Sequence, residues 1–342
     1  MTVIAVLAVA FGAIVAVVIV AGALSKARLR RRYRPPGHFV SVGDRRVHVQ
    51  TAGSTGPTVV FESGLGLEGS LAWGSVVPTI SKFARAVTYD RPGYGWSDSA
   101  PGPRTALAMV DELRTMLHGM GERPPFILAA HSFGALIARL FAYRYPSEIS
   151  GLVLIEPAHE DQMERFPEEL VAGVDLEKML RMMKPMKYLF SAGIPALRPR
   201  LVPLDIPLAQ APLQTAKAVS ASSSRAIKAF LSEEESLQES QRQVRAERSK
   251  GLGDIPLVVL AHGKPAPVPA GPAITPDVER RYEETWHQLL RETSEMSSRG
   301  EYVVAEDSGH YIQLDDPDVV VAAIERVVTA TGQLETLRTR RD

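Results

Sequence analysis

The sequence predicts an α/β protein: a mostly parallel sheet covered on both faces, interrupted by a helical insertion and preceded by a membrane-spanning helix. Three observations carry this. From residue 38 onward, short apolar runs that end in glycines alternate with stretches of helical spacing, as strands buried on both faces do. That alternation stops near residue 159 and resumes near residue 253. Residues 2–24, "TVIAVLAVAFGAIVAVVIVAGAL", carry no charge.

The N-terminal run comes first. Its 23 uncharged residues reach roughly 34 Å as a helix, enough for a hydrocarbon core of about 30 Å. A buried helix of a soluble protein is rarely apolar on every face. Ala21-Gly22-Ala23 also suits a signal-peptidase site, but the run is long for such a segment and no Lys or Arg precedes it. Lys26, Arg28, Arg30, Arg31, Arg32 and Arg34 follow it instead, so the positive-inside rule places the large domain in the cytoplasm. Residues 1–34 are read as anchor and basic flank, and Pro35-Pro36-Gly37 as a short linker.

The elements that follow read in order. "HFVSVGDRRVHVQTAG" is a hairpin about Gly43-Asp44, alternating on both arms. "PTVVFESGLG" is a strand running into glycines, residues 70–83 have helical spacing, and "RAVTYDRPGYG" is a strand ending in a turn. Residues 106–120 form an amphipathic helix closed by Gly121. The strand "FILAA" leads to a helix that stops before Pro146, and "GLVLIEP" is the next strand. Residues 35–158 are therefore the first part of a core. Residues 159–252 form a proline-interrupted helical insertion carrying Met179, Met182, Met183 and Met186, suited to the insertion's own core, to membrane contact or to an acyl pocket. Residues 253–332 complete the core with "IPLVVLAHG", a helix over 276–298, "EYVVAEDSGH" and a last helix from Pro317 to about Thr331, leaving a charged tail over 333–342.

Composition narrows the function. With 39 Lys plus Arg against 39 Asp plus Glu in 342 residues, no global field draws nucleic acid. With no cysteine, disulfides, thiolate nucleophiles and cysteine-ligated metals are excluded. The informative stretch is "FILAAHSFGALIARLFA". A serine on a sharp strand-to-helix turn exposes its Oγ above the sheet edge, over free N–H groups and the positive end of a helix dipole. Ala130, Gly134 and Ala135 supply the small flanks that close strand–helix approach requires. The same residues also suit a serine capping an ordinary helix. Three further stretches favour chemistry. Gly64 and Gly66 in "FESGLGLEG" end a strand where a loop can aim an N–H at an oxyanion. "YDRPGYGWSD" follows the next strand. "SGHYIQLDDP" places His310 in a loop after the last strand, where a general base is needed.

In these motifs, over about residues 38–332, the chain resembles the α/β-hydrolase fold family, in its capped, esterase- or lipase-like branch. The resemblance implies Ser132 as nucleophile, His310 as catalytic histidine, and the backbone N–H groups of Leu65 and Phe133 as oxyanion hole, with 159–252 as the cap between strands 6 and 7. The chain departs from the family at Ser63-Gly64, where many members have His-Gly, and at Ala130, often Gly. A serine nucleophile implies acyl transfer through an acyl-enzyme, without cofactor or metal, on a small-molecule or lipid-like ester. Peptidase, thioesterase, lyase or cofactor-free haloperoxidase chemistry shares the motifs, and so does a non-catalytic binding protein on this scaffold.

The acid departs further. Most members carry an Asp a few residues past strand 7, but here no carboxylate follows "PLVVLAHG" before Asp277. A minority place the acid after strand 6. There Glu156 ends the apolar run "GLVLIEP", 24 residues after Ser132. Glu156 is the expected acid, with Asp277 and Asp307 as stand-ins. His159, close behind, reads as structural, with a place at the border of the expected site as the alternative; His48, His118, His262 and His287 read as structural or exposed.

Overall fold

A computed structural model describes residues 2–173, 176–202, 204, 206–265 and 273–338. Strand β1 (His38–Val42) turns at Gly43, whose φ of 64° suits glycine, into β2 (Arg45–Ala52), with Val40 opposite Val47. The remaining strands are β3 (Thr58–Glu62), β4 (Arg85–Tyr89), β5 (Phe126–His131), β6 (Ile149–Ile155), β7 (Leu257–His262) and β8 (Gly300–Ala305). They form one sheet ordered β1-β2-β4-β3-β5-β6-β7-β8, antiparallel at β1-β2 and β2-β4 and parallel elsewhere. From β3 the chain steps outward to β4, then returns to β5 on the other side. That reversal opens a crevice at the carboxyl ends of β3 and β5, where ligands of open α/β sheets bind.

Side chains of β5 divide between two apolar layers. Phe126, Leu128 and Ala130 face the helices Ala106–Gly119 and Gly134–Arg144; Ile127 and Ala129 face the helix Pro317–Arg338, through Val320, Ile324 and Val327. Each large side chain so buried contributes about 1.5–3 kcal/mol. The helix Ala106–Gly119 shows why sequence dictates packing. Thr105 caps its start by accepting from the Ala108 N–H, and Ala106, Met109, Val110, Leu113, Met116 and Leu117 form one buried stripe. Leu113→Ala would cost about 2–5 kcal/mol by leaving a cavity.

Boundaries depart from expectation in four places. The stretch 70–83 is two short pieces, a 3-10 turn Gly69–Trp73 and a helix Val77–Ile80, because Pro78 has no N–H to continue the first. The N-terminal helix runs Thr2–Arg32, through the basic flank rather than ending with the apolar run. The helix after β7 is Pro276–Ser294, and the last one continues to Arg338, so part of the expected tail is helical while 339–342 lie outside the described residues. The insertion is helical as expected and includes Met186–Ala192, Ile194–Leu197 and Arg225–Glu235. Met183 and Met186 pack on its own core of Phe190, Val202, Ile227 and Leu231, whereas Met182 is exposed.

Candidate active site

Ser132 follows β5 with φ 52°, and Glu156 follows the neighbouring β6 with φ 47°; they are the only non-glycine residues with positive φ among those described. Such strain persists only where surroundings enforce it. At Ser132 the N–H donates to the Ile155 carbonyl at 3.0 Å, while its own carbonyl accepts from Ala135 and Ala158, each at 3.0 Å. Tight approach explains the small flanks. A Cβ on Gly134 would lie 2.6 Å from the Ser63 carbonyl oxygen, and one on Gly64 would lie 2.8 Å from His131 Nδ1. The loop after β3 thus lies against the elbow, and Phe133 opens the helix Gly134–Arg144, where N–H groups have no intrahelical acceptor.

Arg91, just past β4, fixes that loop and had no mark in the sequence beyond a glycine-rich turn. Its Nη1 donates to the Ser63 carbonyl at 2.5 Å and its Nη2 to the Gly64 carbonyl at 2.8 Å. In a trans peptide the C=O and N–H point opposite ways, so drawing the Gly64 carbonyl toward Arg91 turns the Leu65 N–H away from it. Arg91 is held by Glu62 at 2.7 Å and by Glu233 of the insertion at 2.9 Å, all three buried. Ser63 Oγ, donating to Gly69 O and accepting from Trp73 Nε1, each at 3.0 Å, pins the loop's other side.

Past β8, the turn beginning at Ser308 presents His310. Its carbonyl accepts from His131 Nε2 at 2.9 Å, and its Nδ1 lies 3.8 Å from Glu156 Oε1. Burial, and then the charge of His310, hold His131 down at about 3, so it donates as a neutral imidazole. Glu156 accepts from the His262 N–H at 2.9 Å, His262 Nδ1 at 2.6 Å and Trp286 Nε1 at 2.6 Å. Burial pushes its carboxyl up, but the hydrogen bonds from His262, with the His310 imidazole close by, outweigh this and hold it at about 2. Burial likewise opposes charge on His262, yet Glu156 and Glu283, the latter 2.8 Å from Nε2, raise it to about 9.

The structure therefore brings Ser132, His310, Glu156, Leu65 and Phe133 to one sheet edge and leaves the stand-in acids elsewhere. Asp277 is exposed and paired with Arg280 and Arg281, and Asp307 is exposed. His159 is buried, its Nδ1 accepting from the Asp161 N–H at 3.0 Å and its side chain facing Glu160. His262, read from the sequence as structural or exposed, is buried against Glu156, a contact the sequence did not show; its place at the end of β7 was the available signal. Cation-ligating atoms of His262, Glu283 and His287 lie within 4.8 Å of one another, a grouping already explained by an imidazolium set between two carboxylates. Above the loop after β3 lies a cavity of about 200 Å³, bounded by Gly66, Glu68 and Tyr311 and roofed by Met186, Phe190 and Phe230.

Comparison with known proteins places the chain in a family and a fold. Residues 59–323 match the model of the alpha/beta hydrolase family. The chain is 28% identical over 283 residues to the uncharacterized protein YqjL of Bacillus subtilis strain 168, covering 82% of this chain and 87% of that one. Among solved structures it is similar in fold to a thermophilic esterase from Thermogutta terrifontis, with TM-score 0.59 and 18% identity over 86% of this chain and 99% of that one. It is also similar to a putative ancestral haloalkane dehalogenase, with TM-score 0.63 and 16% identity over 86% and 99%.

Proposed function

The chain belongs to the alpha/beta hydrolase family, and from that premise we propose that it is a membrane-anchored serine hydrolase of carboxylic esters working through Ser132, His310 and Glu156. The observation that carries this reading is the pair of strained residues, Ser132 and Glu156, ending adjacent strands with His310 Nδ1 facing the carboxylate.

His310 takes the Ser132 proton through Nε2 as Oγ attacks the ester carbonyl. The tetrahedral oxyanion forms against the N–H groups of Leu65 and Phe133, each such donor contributing about 3 kcal/mol. The protonated imidazole then passes its proton to the leaving alcohol, and an acyl-enzyme remains. Water, activated by the same imidazole, attacks the acyl carbon and releases acid and free serine. Glu156 accepts the Nδ1 proton's hydrogen bond, fixes the tautomer and stabilises the imidazolium without taking the proton. Serine rather than aspartate at the elbow supports acyl transfer over displacement at an alkyl carbon.

Fluorophosphonate labelling of the wild-type protein, lost in Ser132→Ala, tests the nucleophile. Hydrolysis of p-nitrophenyl butyrate should fall at least several hundredfold in Ser132→Ala. Near-wild-type turnover by that variant refutes the assignment.

The anchor is the helix Thr2–Arg32, whose apolar part is exposed over residues 3–17 and long enough to span a bilayer. The basic residues after it support a cytoplasmic catalytic domain.

A further inference from the structure

The N-terminal helix does not stand clear of the catalytic domain. Gly22 packs on Gly193, at the join of the helices Met186–Ala192 and Ile194–Leu197: a Cβ on Gly22 would lie 2.4 Å from the Ala192 carbonyl oxygen, and one on Gly193 would lie 2.6 Å from the Gly22 carbonyl carbon. Lys26 Nζ donates to the Ser191 carbonyl at 2.7 Å, and Arg30 Nη2 to the Ser222 carbonyl at 3.0 Å, so two basic residues fasten the same face. Gly22 precedes the end of the uncharged run by only two residues, about 3 Å along a helix. The part of the insertion beside it therefore lies at the depth where hydrocarbon gives way to headgroups, if the helix spans the bilayer as proposed above.

That part of the insertion is apolar where it faces outward. Leu201 is 78% exposed and Tyr188 68%, with Leu189, Ile194 and Leu197 also open. An apolar patch of this kind marks a surface that water does not cover in use. Lys187, Arg198 and Arg200 are interleaved with it, the pairing of apolar and cationic side chains that suits an anionic headgroup layer. Between these side chains lies a groove of about 310 Å³, lined by Leu189, Ile194, Leu197 and Leu201, with Met186 and Phe190 at its inner wall. Met186 and Phe190 also roof the cavity over Gly66 and Tyr311, beside Leu65 and His310. Two side chains thus part the outward groove from this inner cavity.

We propose that the face formed by residues 186–201 docks on the bilayer surface, and that acyl chains of membrane-partitioned esters pass from the leaflet through this groove, between Met186 and Phe190, to Ser132. The occupant is lipid, because the face continues the surface of the spanning helix and carries the charge that lipid headgroups attract. Methionine is suited to such a partition, since its unbranched side chain moves aside at little cost. The substrate class follows: esters with an acyl chain long enough to reside in the bilayer. The inference rests on the serine-hydrolase reading for the identity of the reaction, though not for the docking.

Two measurements on the full-length protein in vesicles of phosphatidylcholine and phosphatidylglycerol test it. In the first, Leu201→Trp is read by quenching with lipids brominated along the acyl chain, against the wild-type protein. Added quenching that is strongest for shallow bromines is expected; no added quenching overturns the docking, whatever the enzyme hydrolyses. In the second, Leu189→Asp/Leu197→Asp is assayed on a long-chain ester dissolved in the vesicle and on p-nitrophenyl acetate in water. The ratio of kcat/KM for the bilayer ester to that for the acetate should fall at least tenfold. An unchanged ratio, with both substrates still hydrolysed, overturns entry through the groove. A wild-type protein that labels with no phosphonate and cleaves neither ester, while Leu201→Trp shows the added quenching, overturns the hydrolase reading and substrate entry with it, leaving only the docking.

Discussion

Glu156→Gln probes the acid at a place where shape is kept and charge removed. Oε1 of Glu156 accepts from both His262 Nδ1 and Trp286 Nε1 and faces His310 Nδ1, while Oε2 accepts from the His262 N–H. A glutamine placed with its oxygen toward the three ring donors turns its NH2 on the His262 N–H, so two donors meet. A buried donor left unpaired costs about 1–3 kcal/mol. The catalytic loss is larger. At 3.8 Å and an effective dielectric constant near 20, carboxylate and imidazolium attract by about 4 kcal/mol. The imidazole is 36% exposed, so water screens part of this, and kcat should fall by about two to three orders of magnitude. Stopped or continuous assay of p-nitrophenyl butyrate gives kcat; circular dichroism and melting report the fold. KM should change little, since the acid does not touch the substrate. An active Glu156→Gln enzyme beside an inactive Asp277→Asn or Asp307→Asn enzyme would refute the reasoning.

Arg91→Met should lower kcat about 10²-fold or more, because the Gly64–Leu65 peptide loses the contact that turns its N–H toward the oxyanion; equal kcat with raised KM would show that Arg91 serves only binding. Removal of residues 1–34 should release the protein from carbonate-washed membranes, and a wild-type chain found in the soluble fraction would refute the anchor. Stability should depend on pH through one buried pair. Glu156, held at about 2 against an ordinary 4.5, stabilises the fold above pH 4.5 and loses this as pH falls toward 2. His262, raised to about 9 from 6.5, stabilises it fully below pH 6.5 and loses this as pH rises through 9. The alkaline loss is on the order of 3 kcal/mol. Melting temperature should therefore drop between pH 6.5 and 9.5, with a shallower fall in Glu283→Gln; a flat wild-type profile would refute the pairing.

The parts of this protein set by local pattern could be read without coordinates. The 23 uncharged residues of the N-terminal run, the strand–serine–helix elbow at Ser132, and the glycines at 64 and 134 each state a requirement that neighbours in sequence impose: a long apolar helix, a sharp turn, close backbone approach. The mostly parallel sheet and the presence of a helical insertion followed from alternation alone; the order of strands across the sheet did not. Choice among carboxylates was half legible. Glu156 ends too apolar a run to be incidental, but only the sheet, by setting β6 beside β5 and β7 beside β6, brings it to His310 and removes Asp277 to an exposed helix turn. What sequence could not show were contacts between residues far apart in the chain. Arg91 reaches the Gly64 carbonyl and Glu233 across 142 positions, and His262 meets Glu156 across 106. Gly22 meets Gly193, where two unremarkable glycines join the N-terminal helix to the insertion. Burial strengthens such charge pairs and makes small residues decisive, and burial is a property of the packed chain, not of its local pattern.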